Sequence, residues 1–269
     1  MPEHAEFRAF YLSEIGVHTP LPVDKADSSS QITDKIKPEG APVAPSSVSS
    51  QSQPVSPPVH LSSTTSSEHV PDVSVDSGVG AAADINGLKE MAAQASTCTA
   101  CQLSEQRNNV VFGVGSSEAD IVFIGEAPGE EEDLQGEPFV GQSGHLLDRM
   151  LASLGMDRSQ VYIMNRVKCR PPNNRDPKSE EIEACGKWFD AQLKALSPKL
   201  ICLLGRVAAQ TVLETDASLS AMRGKWHDYH GIPVKVIYHP AYLLRSPKQK
   251  THAWNDLTDL KRRYQSLSS

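Results

Sequence analysis

From residue 119 onward the chain alternates between short unbroken apolar runs and longer stretches that place an apolar side chain every three or four positions. Ala119-Asp-Ile-Val-Phe-Ile-Gly125, Val161-Tyr-Ile-Met-Asn165, Leu200-Ile-Cys-Leu-Leu204 and Val234-Lys-Val-Ile-Tyr238 are the runs. Unbroken apolar runs of this length predict strands covered on both faces, as parallel strands are. Between them, Ser143 to Leu154 sets Leu146, Leu147, Met150, Leu151 and Leu154 on one side of a predicted helix. Lys178 to Leu196 follows Asp176 as the predicted N-cap, with Pro177 at the first helical position. Its inward stripe is Ile182, Cys185, Trp188 or Phe189, and Leu193. Arg206 to Leu213 and His252 to Tyr264 complete the helical patterns. Alternation of this kind predicts a parallel sheet with helices on both faces. No internal repeat is present.

The pattern stops upstream. Pro38 to Gly80 is dominated by Ser, Pro, Val, Gln and Thr and has too little apolar surface to offset the entropy of ordering it. Three segments are therefore predicted: 1–37 with a short amphipathic helix, 38–84 as a disordered linker, and 85–269 as the folded domain. In the helix, over residues 3–16, Phe7, Phe10, Tyr11 and Ile15 share a stripe. On a flexible tether it fits a docking peptide for a protein partner as well as it fits a helix packing back on its own domain.

Charge divides along the same line. Residues 1–90 carry 5 Lys/Arg and 12 Asp/Glu, a net of -7, and residues 91–269 carry 21 of each. A balanced domain still binds nucleic acid if its cations cluster. The cluster Arg166, Lys168, Arg170, Arg175 and Lys178 is the first candidate. No apolar run is long enough to span a membrane. The N-terminus lacks the charged and apolar regions of a signal peptide. Five cysteines without a disulfide-like framework fit a reducing compartment, so a cytoplasmic protein is expected. A monomer is the default.

Four of those cysteines, Cys98, Cys101, Cys169 and Cys185, are spaced C-x2-C-x67-C-x15-C. Cys98 and Cys101 lie in a polar stretch, and Cys169 lies between Lys168 and Arg170, which are poor places for thiols used as hydrophobes. They are predicted ligands that would staple an early segment to a later one. Spacing leaves zinc and iron–sulfur both open. Cys202, inside an apolar run, reads as core.

In an open α/β sheet, chemistry collects beyond the carboxyl ends of strands. Gly125-Glu-Ala-Pro-Gly129 follows the first run, Asn165 ends the second, and His239-Pro240 follows the last. A carboxylate, an amide and an imidazole, Glu126, Asn165 and His239, would converge there. Such a set can position water, read a planar polar ligand and stabilise developing charge. Phe139, in a Gly-rich loop, is a candidate stacking platform. Each residue alone has an ordinary structural reading; together at strand ends they favour a site.

Gly125-Glu-Ala-Pro-Gly-Glu-Glu-Glu-Asp133, Pro138-Phe-Val-Gly141, Val167-Lys-Cys-Arg-Pro-Pro172 and His239-Pro-Ala-Tyr-Leu-Leu244 resemble family 4 uracil-DNA glycosylases over roughly residues 88–264. The resemblance implies a three-layer α/β/α fold around a four-stranded parallel sheet. It also implies a [4Fe-4S] cluster on the four cysteines and hydrolysis of deoxyuridine's N-glycosidic bond in DNA after base flipping. On that reading Phe139 stacks on uracil, Asn165 bonds its Watson–Crick edge, and His239 stabilises charge on O2. Glu126 places the water, while Gly125 and Ala127 belong to the same loop. Ala127 stands where the best-known uracil glycosylases carry an Asp. Glu132 lines the pocket against a thymine methyl. Gly205, Arg206 and Arg245 would meet phosphates, and Leu243 or Leu244 would wedge into the emptied stack. The Arg170–Arg175 stretch lacks the His-bearing basic insert of a relative that forms a covalent adduct, so turnover is expected. Two alternatives stay open: a non-catalytic iron–sulfur DNA-binding module tied to replication or repair proteins, and an α/β enzyme acting on another glycosyl bond or nucleotide. The absence of a Walker or dinucleotide motif weakens the latter.

Overall fold

The computed structural model describes residues 85–267 together with the isolated Ser13. The expected helix over residues 3–16 and the linker over 38–84 lie outside the described residues. None of the described helices is long and apolar enough to cross a membrane.

Helix α1 (Ile85–Ser96) leads into β1 (Val114–Gly115) and β2 (Ile121–Gly125). Helices α2 (Glu130–Gln135) and α3 (Gln142–Ser153) follow, then β3 (Tyr162–Asn165), α4 (Ser179–Leu196) and β4 (Leu200–Leu204). After α5 (Arg206–Val212) and α6 (Leu219–Met222) come the hairpin β5 (Trp226–Tyr229) and β6 (Ile232–Ile237). Helices α7 (Pro240–Arg245) and α8 (Lys250–Leu267) end the described chain.

The strands form one sheet in the order β1-β3-β2-β4-β6-β5. β3, β2, β4 and β6 pair in parallel, as the apolar runs require. The four-stranded expectation is corrected to six, because β1 and β5 add antiparallel edges. Neither edge has an apolar run: β1 has two residues, and β5 is Trp-His-Asp-Tyr with no fully buried position. A hairpin signal was nonetheless present. His230 and Gly231, both with positive φ (51° and 86°), make the two-residue turn, and Asp228 Oδ1 accepts the Gly231 N–H at 2.9 Å.

Side chains alternate across the parallel strands into two cores, one per face. Ile121, Phe123, Ile163, Cys202, Leu204 and Ile237 pack with α3, α7 and α8. Val122, Ile124, Met164, Ile201, Leu203 and Val236 pack with α1, α4, α5 and α6. Each fully buried aliphatic or Phe side chain contributes about 1.5–3 kcal/mol. These helices on both faces make the three-layer α/β/α arrangement, and Cys202 is core as expected.

One helix start differs from expectation. α4 begins at Ser179 with Lys178 in the capping position, and Asp176 does not cap it. Glu181 takes that role, accepting the Lys178 N–H at 2.8 Å while holding Arg175 by two bonds of 2.8 and 2.6 Å. Asp176 is thereby released to face elsewhere.

Candidate active site

Strand β2 lies between β3, which precedes it in space, and β4, which the chain reaches by crossing back, so the order reverses at β2. A crevice opens at the carboxyl ends there. A cavity of about 450 Å³ fills it, lined by Glu126, Phe139, Asn165 and His239 among others. The residues expected to converge do so.

Parallel register sets Gly125 directly opposite Asn165. A Cβ at Gly125 would overlap Asn165 Oδ1 and come within 2.7 Å of Phe139 Cζ. The bare backbone is what lets amide and ring face the same space. Asn165 is 2% exposed, and no side-chain hydrogen bond ties its carboxamide to another described residue. Asn165 opens its carboxamide onto the cavity, where a ligand can take up both its donor and its acceptor. Its backbone carbonyl is occupied, accepting the Lys168 ammonium at 2.7 Å.

Phe139 adopts left-handed backbone (φ 57°), and its ring centroid lies 5.6 Å from that of His239, tilted by 31°. Arg158, a residue sequence reasoning missed, latches this loop. Its Nη1 donates to the Phe139 carbonyl at 3.0 Å and to Asp148 at 2.8 Å, and its Nη2 donates to the Pro138 carbonyl at 2.6 Å. Glu132 braces the loop from the other side. Its carboxylate accepts the N–H groups of Gly129, Val140 and Gly141 at 3.1, 3.0 and 3.2 Å. It thus ties the Gly125–Gly129 loop to the Phe139 loop as well as lining the cavity.

His239 caps α7: its Nδ1 accepts the Ala241 N–H at 3.1 Å. Burial, with the Arg245 guanidinium adding to it, pushes the imidazole down to about 4. The ring is neutral at neutral pH, and with Nδ1 accepting, its proton sits on Nε2. Gly205 (φ 93°) passes close behind; a Cβ there would stand 2.9 Å from His239 Cβ.

Burial first, then the Asp176 carboxylate, pushes Glu126 up to about 7, with Arg206 opposing. Asp176 also lines the cavity and receives Arg206 Nη2 at 2.8 Å. It is the second residue the sequence reading missed. Its place in Asn174-Arg-Asp-Pro177 was legible as a polar loop before a helix, but a capping role accounted for it too readily. Ala127 lines the cavity and also packs toward Cys169 and Cys185.

Of the predicted DNA-facing residues, Leu243 is a correction: it is 0% exposed and belongs to the core, where α7 turns it inward. Its neighbour Leu244 is 36% exposed, as is Tyr242, and Arg245 is exposed at the cavity rim. The basic cluster is corrected as well. Lys168 is 1% exposed and lies over the Phe112 and Phe189 rings, and Arg166 stacks on Phe189 at 4.6 Å. Arg170 meets Glu130 at 3.2 Å, and Arg175 is spent on Glu181. Arg206 is committed to Asp176 and Gln210.

Cys98, Cys101, Cys169 and Cys185 line one small pocket with Lys168, Arg107 and Trp188. Donors already face the sulfurs: Arg107 Nη1 meets Cys169 Sγ at 3.2 Å, and the Lys168 N–H meets Cys185 Sγ at 3.4 Å. Burial opposes ionisation of Cys98, but the buried Trp188 Nε1 faces its thiol and helps to lower the pKa. Burial pushes the Cys169 thiol up to about 11, with the Arg107 guanidinium opposing it. Among the described residues, no three Cys, His, Asp or Glu groups are set closely enough to hold one metal ion. A four-iron cluster gives each thiolate its own iron and does not need that grouping. The donor set fits such a cluster. All five cysteines are free thiols.

The sequence profile of the Uracil DNA glycosylase superfamily matches residues 112–258. Among curated proteins, the chain is 45% identical over 180 residues to a Type-4 uracil-DNA glycosylase of Archaeoglobus fulgidus, spanning 64% of this chain and 90% of the relative. A Type-4 uracil-DNA glycosylase of Thermotoga maritima is 48% identical over 152 residues, 55% of this chain and 79% of the relative. A Type-5 uracil-DNA glycosylase of Pyrobaculum aerophilum is 30% identical over 146 residues, 48% of this chain and 64% of the relative.

Proposed function

The chain belongs to the uracil DNA glycosylase superfamily, and we propose that it hydrolyses the N-glycosidic bond of deoxyuridine in DNA, leaving an abasic site and free uracil. The observation that carries this reading is the Asn165 carboxamide, which lines one cavity with Phe139 and His239 and makes no side-chain hydrogen bond to a described residue. A carboxamide offers one acceptor and one donor pair side by side, which complements the N3–H and O4 of uracil.

Uracil enters the cavity only once it has left the stack, and a mispaired uracil does so at lower cost. The Phe139 ring then supports one face of the base, and Asn165 reads its edge. Glu132, fixed by its three N–H donors, forms a wall that a 5-methyl group would meet. As the C1′–N1 bond breaks, its electron pair moves onto the base and charge develops on O2. Neutral His239 donates Nε2–H to that oxygen, stabilising the leaving anion without having to give up a full charge. Water adds to C1′ and passes a proton to Glu126, whose lifted pKa makes it a competent acceptor near neutral pH. On the helix that His239 caps, the cavity-lining Arg245 would meet phosphate and the exposed Leu244, next to it in sequence, would fill the vacated stack.

The four cysteines would hold a [4Fe-4S] cluster, which when bound supplies a cross-link between the segment after α1, the segment after β3, and α4. Arg107, Lys168 and Trp188 would surround it with N–H donors. Ala127 and Val167 pack against this nest, so ordering it orders the floor of the catalytic loop. Reduced thiols of this kind suit the cytoplasm.

The test is uracil release from a labelled oligonucleotide with one uracil, beside a thymine control, by wild type and His239→Ala. Uracil-dependent cleavage that falls about 10²–10³-fold in the variant is expected for loss of one charge-stabilising donor. No release by the cluster-loaded wild type would leave a DNA-binding module as the better account.

A further inference from the structure

The loop between β3 and α4 sends a second carboxylate into the cavity. Asp176 is not tied to the helix it precedes; it is held at the opening of α5 by Arg206, with Nη2 at 2.8 Å. Arg206 is itself steadied by Gln210 at 2.9 Å. The loop's other charge, Arg175, is locked on Glu181. Asp176 and Glu126 therefore line the same cavity, with the Arg206 guanidinium paired to Asp176.

We propose that Asp176, anchored by Arg206, is a positioning residue that orients and charge-couples Glu126 for its work on the attacking water. This rests on the glycosylase reading and deepens it.

Two carboxylates in a partly desolvated cavity do not ionise independently: the second proton is held more tightly, and the titration belongs to the pair. Asp176, paired with Arg206, raises the basicity of Glu126 and gives its carboxyl a partner when protonated. The other charged or titratable groups around Glu126 are occupied. Glu132 on α2 is spent on three backbone N–H groups. Arg166 and Lys168, beyond β3, lie against Phe189. Arg245 bears on His239, and Tyr242 packs on Tyr238. When DNA covers the mouth and excludes water, coupling between the carboxylates strengthens.

The signs for the two members are opposite. Removing the Asp176 charge lowers the Glu126 pKa; removing the Arg206 charge raises it. The experiment measures single-turnover uracil release against pH, and in parallel the Glu126 carboxyl titration by carbon-13 NMR, for full-length cluster-loaded wild type, Asp176→Asn and Arg206→Gln. The proposal expects the acid limb and the NMR midpoint to move down in Asp176→Asn and up in Arg206→Gln, each by about one pH unit. Slower release with unmoved midpoints in both variants would make Asp176 merely structural and overturn it. Because the NMR midpoint needs no turnover, shifted midpoints in a protein that releases no uracil would support the coupling while removing the glycosylase reading. If one variant fails to fold, the other still carries the sign.

Discussion

Glu132 combines two jobs on one carboxylate: it lines the base cavity, and it holds the Gly125–Gly129 loop to the Phe139 loop through Gly129, Val140 and Gly141. Glu132→Gln keeps the shape but turns one acceptor into an NH2 group facing an N–H donor. A loss of about 1–3 kcal/mol in stability is expected, the penalty for an unsatisfied buried group. Because the Phe139 ring is positioned by the same bonds, uracil release should slow beyond what that stability loss explains at temperatures where the variant is folded. Denaturant unfolding together with single-turnover rates on folded protein checks both; unchanged stability would mean the three bonds carry no net weight. At this scale the sequence was informative about residue type and poor about partner. Glu126, Asn165 and His239 were legible because each closes an apolar run. Asp176 and Arg158 were not, since their roles depend on Arg206 and on the Phe139 and Pro138 carbonyls, which adjoin them only through the fold.

Helix α7 puts adjacent leucines to opposite uses. Leu243 has no exposed surface and packs in the core shared by α3 and α8, whereas Leu244 faces outward, next in sequence to the cavity-lining Arg245. A six-residue helix shows too little periodicity for sequence to say which leucine turns in, so the wedge could be assigned to either until the fold fixed its rotation. The two substitutions should separate cleanly. Leu243→Ala should cost about 2–5 kcal/mol of stability. Leu244→Ala should stay within about 0.5 kcal/mol of wild type, as surface changes do. Its cost should fall on uracil in duplex DNA, where the vacated stack has to be filled, and spare single-stranded substrate. Equal losses on both substrates would remove the wedge. The same reasoning explains the sheet: its four parallel strands announce themselves as apolar runs, while edge strands β1 and β5, half solvated, read as loop.

Along the whole chain the acidic charge is concentrated in sequence ahead of the chemistry. The net of -7 in residues 1–90 precedes a domain whose charges balance. Within that domain the basic cluster once expected to face DNA is partly consumed: Lys168 is buried and Arg170 and Arg175 are in ion pairs, whereas Lys178 is half exposed. An acidic segment joined to such a domain competes with DNA for whatever cations remain, Arg245 among them. Only 64% of this chain is needed to span 90% of the Archaeoglobus relative, so catalysis should not require the remainder. Deleting residues 1–84 should leave uracil release at saturating DNA unchanged and tighten DNA binding at low salt. That gain should fade as salt rises from about 50 to 200 mM, because both repulsion and phosphate attraction are screened over that range. Binding isotherms of the two proteins across that range decide it. If the shortened protein instead binds more weakly at every salt concentration, the N-terminal region contributes contacts of its own to DNA.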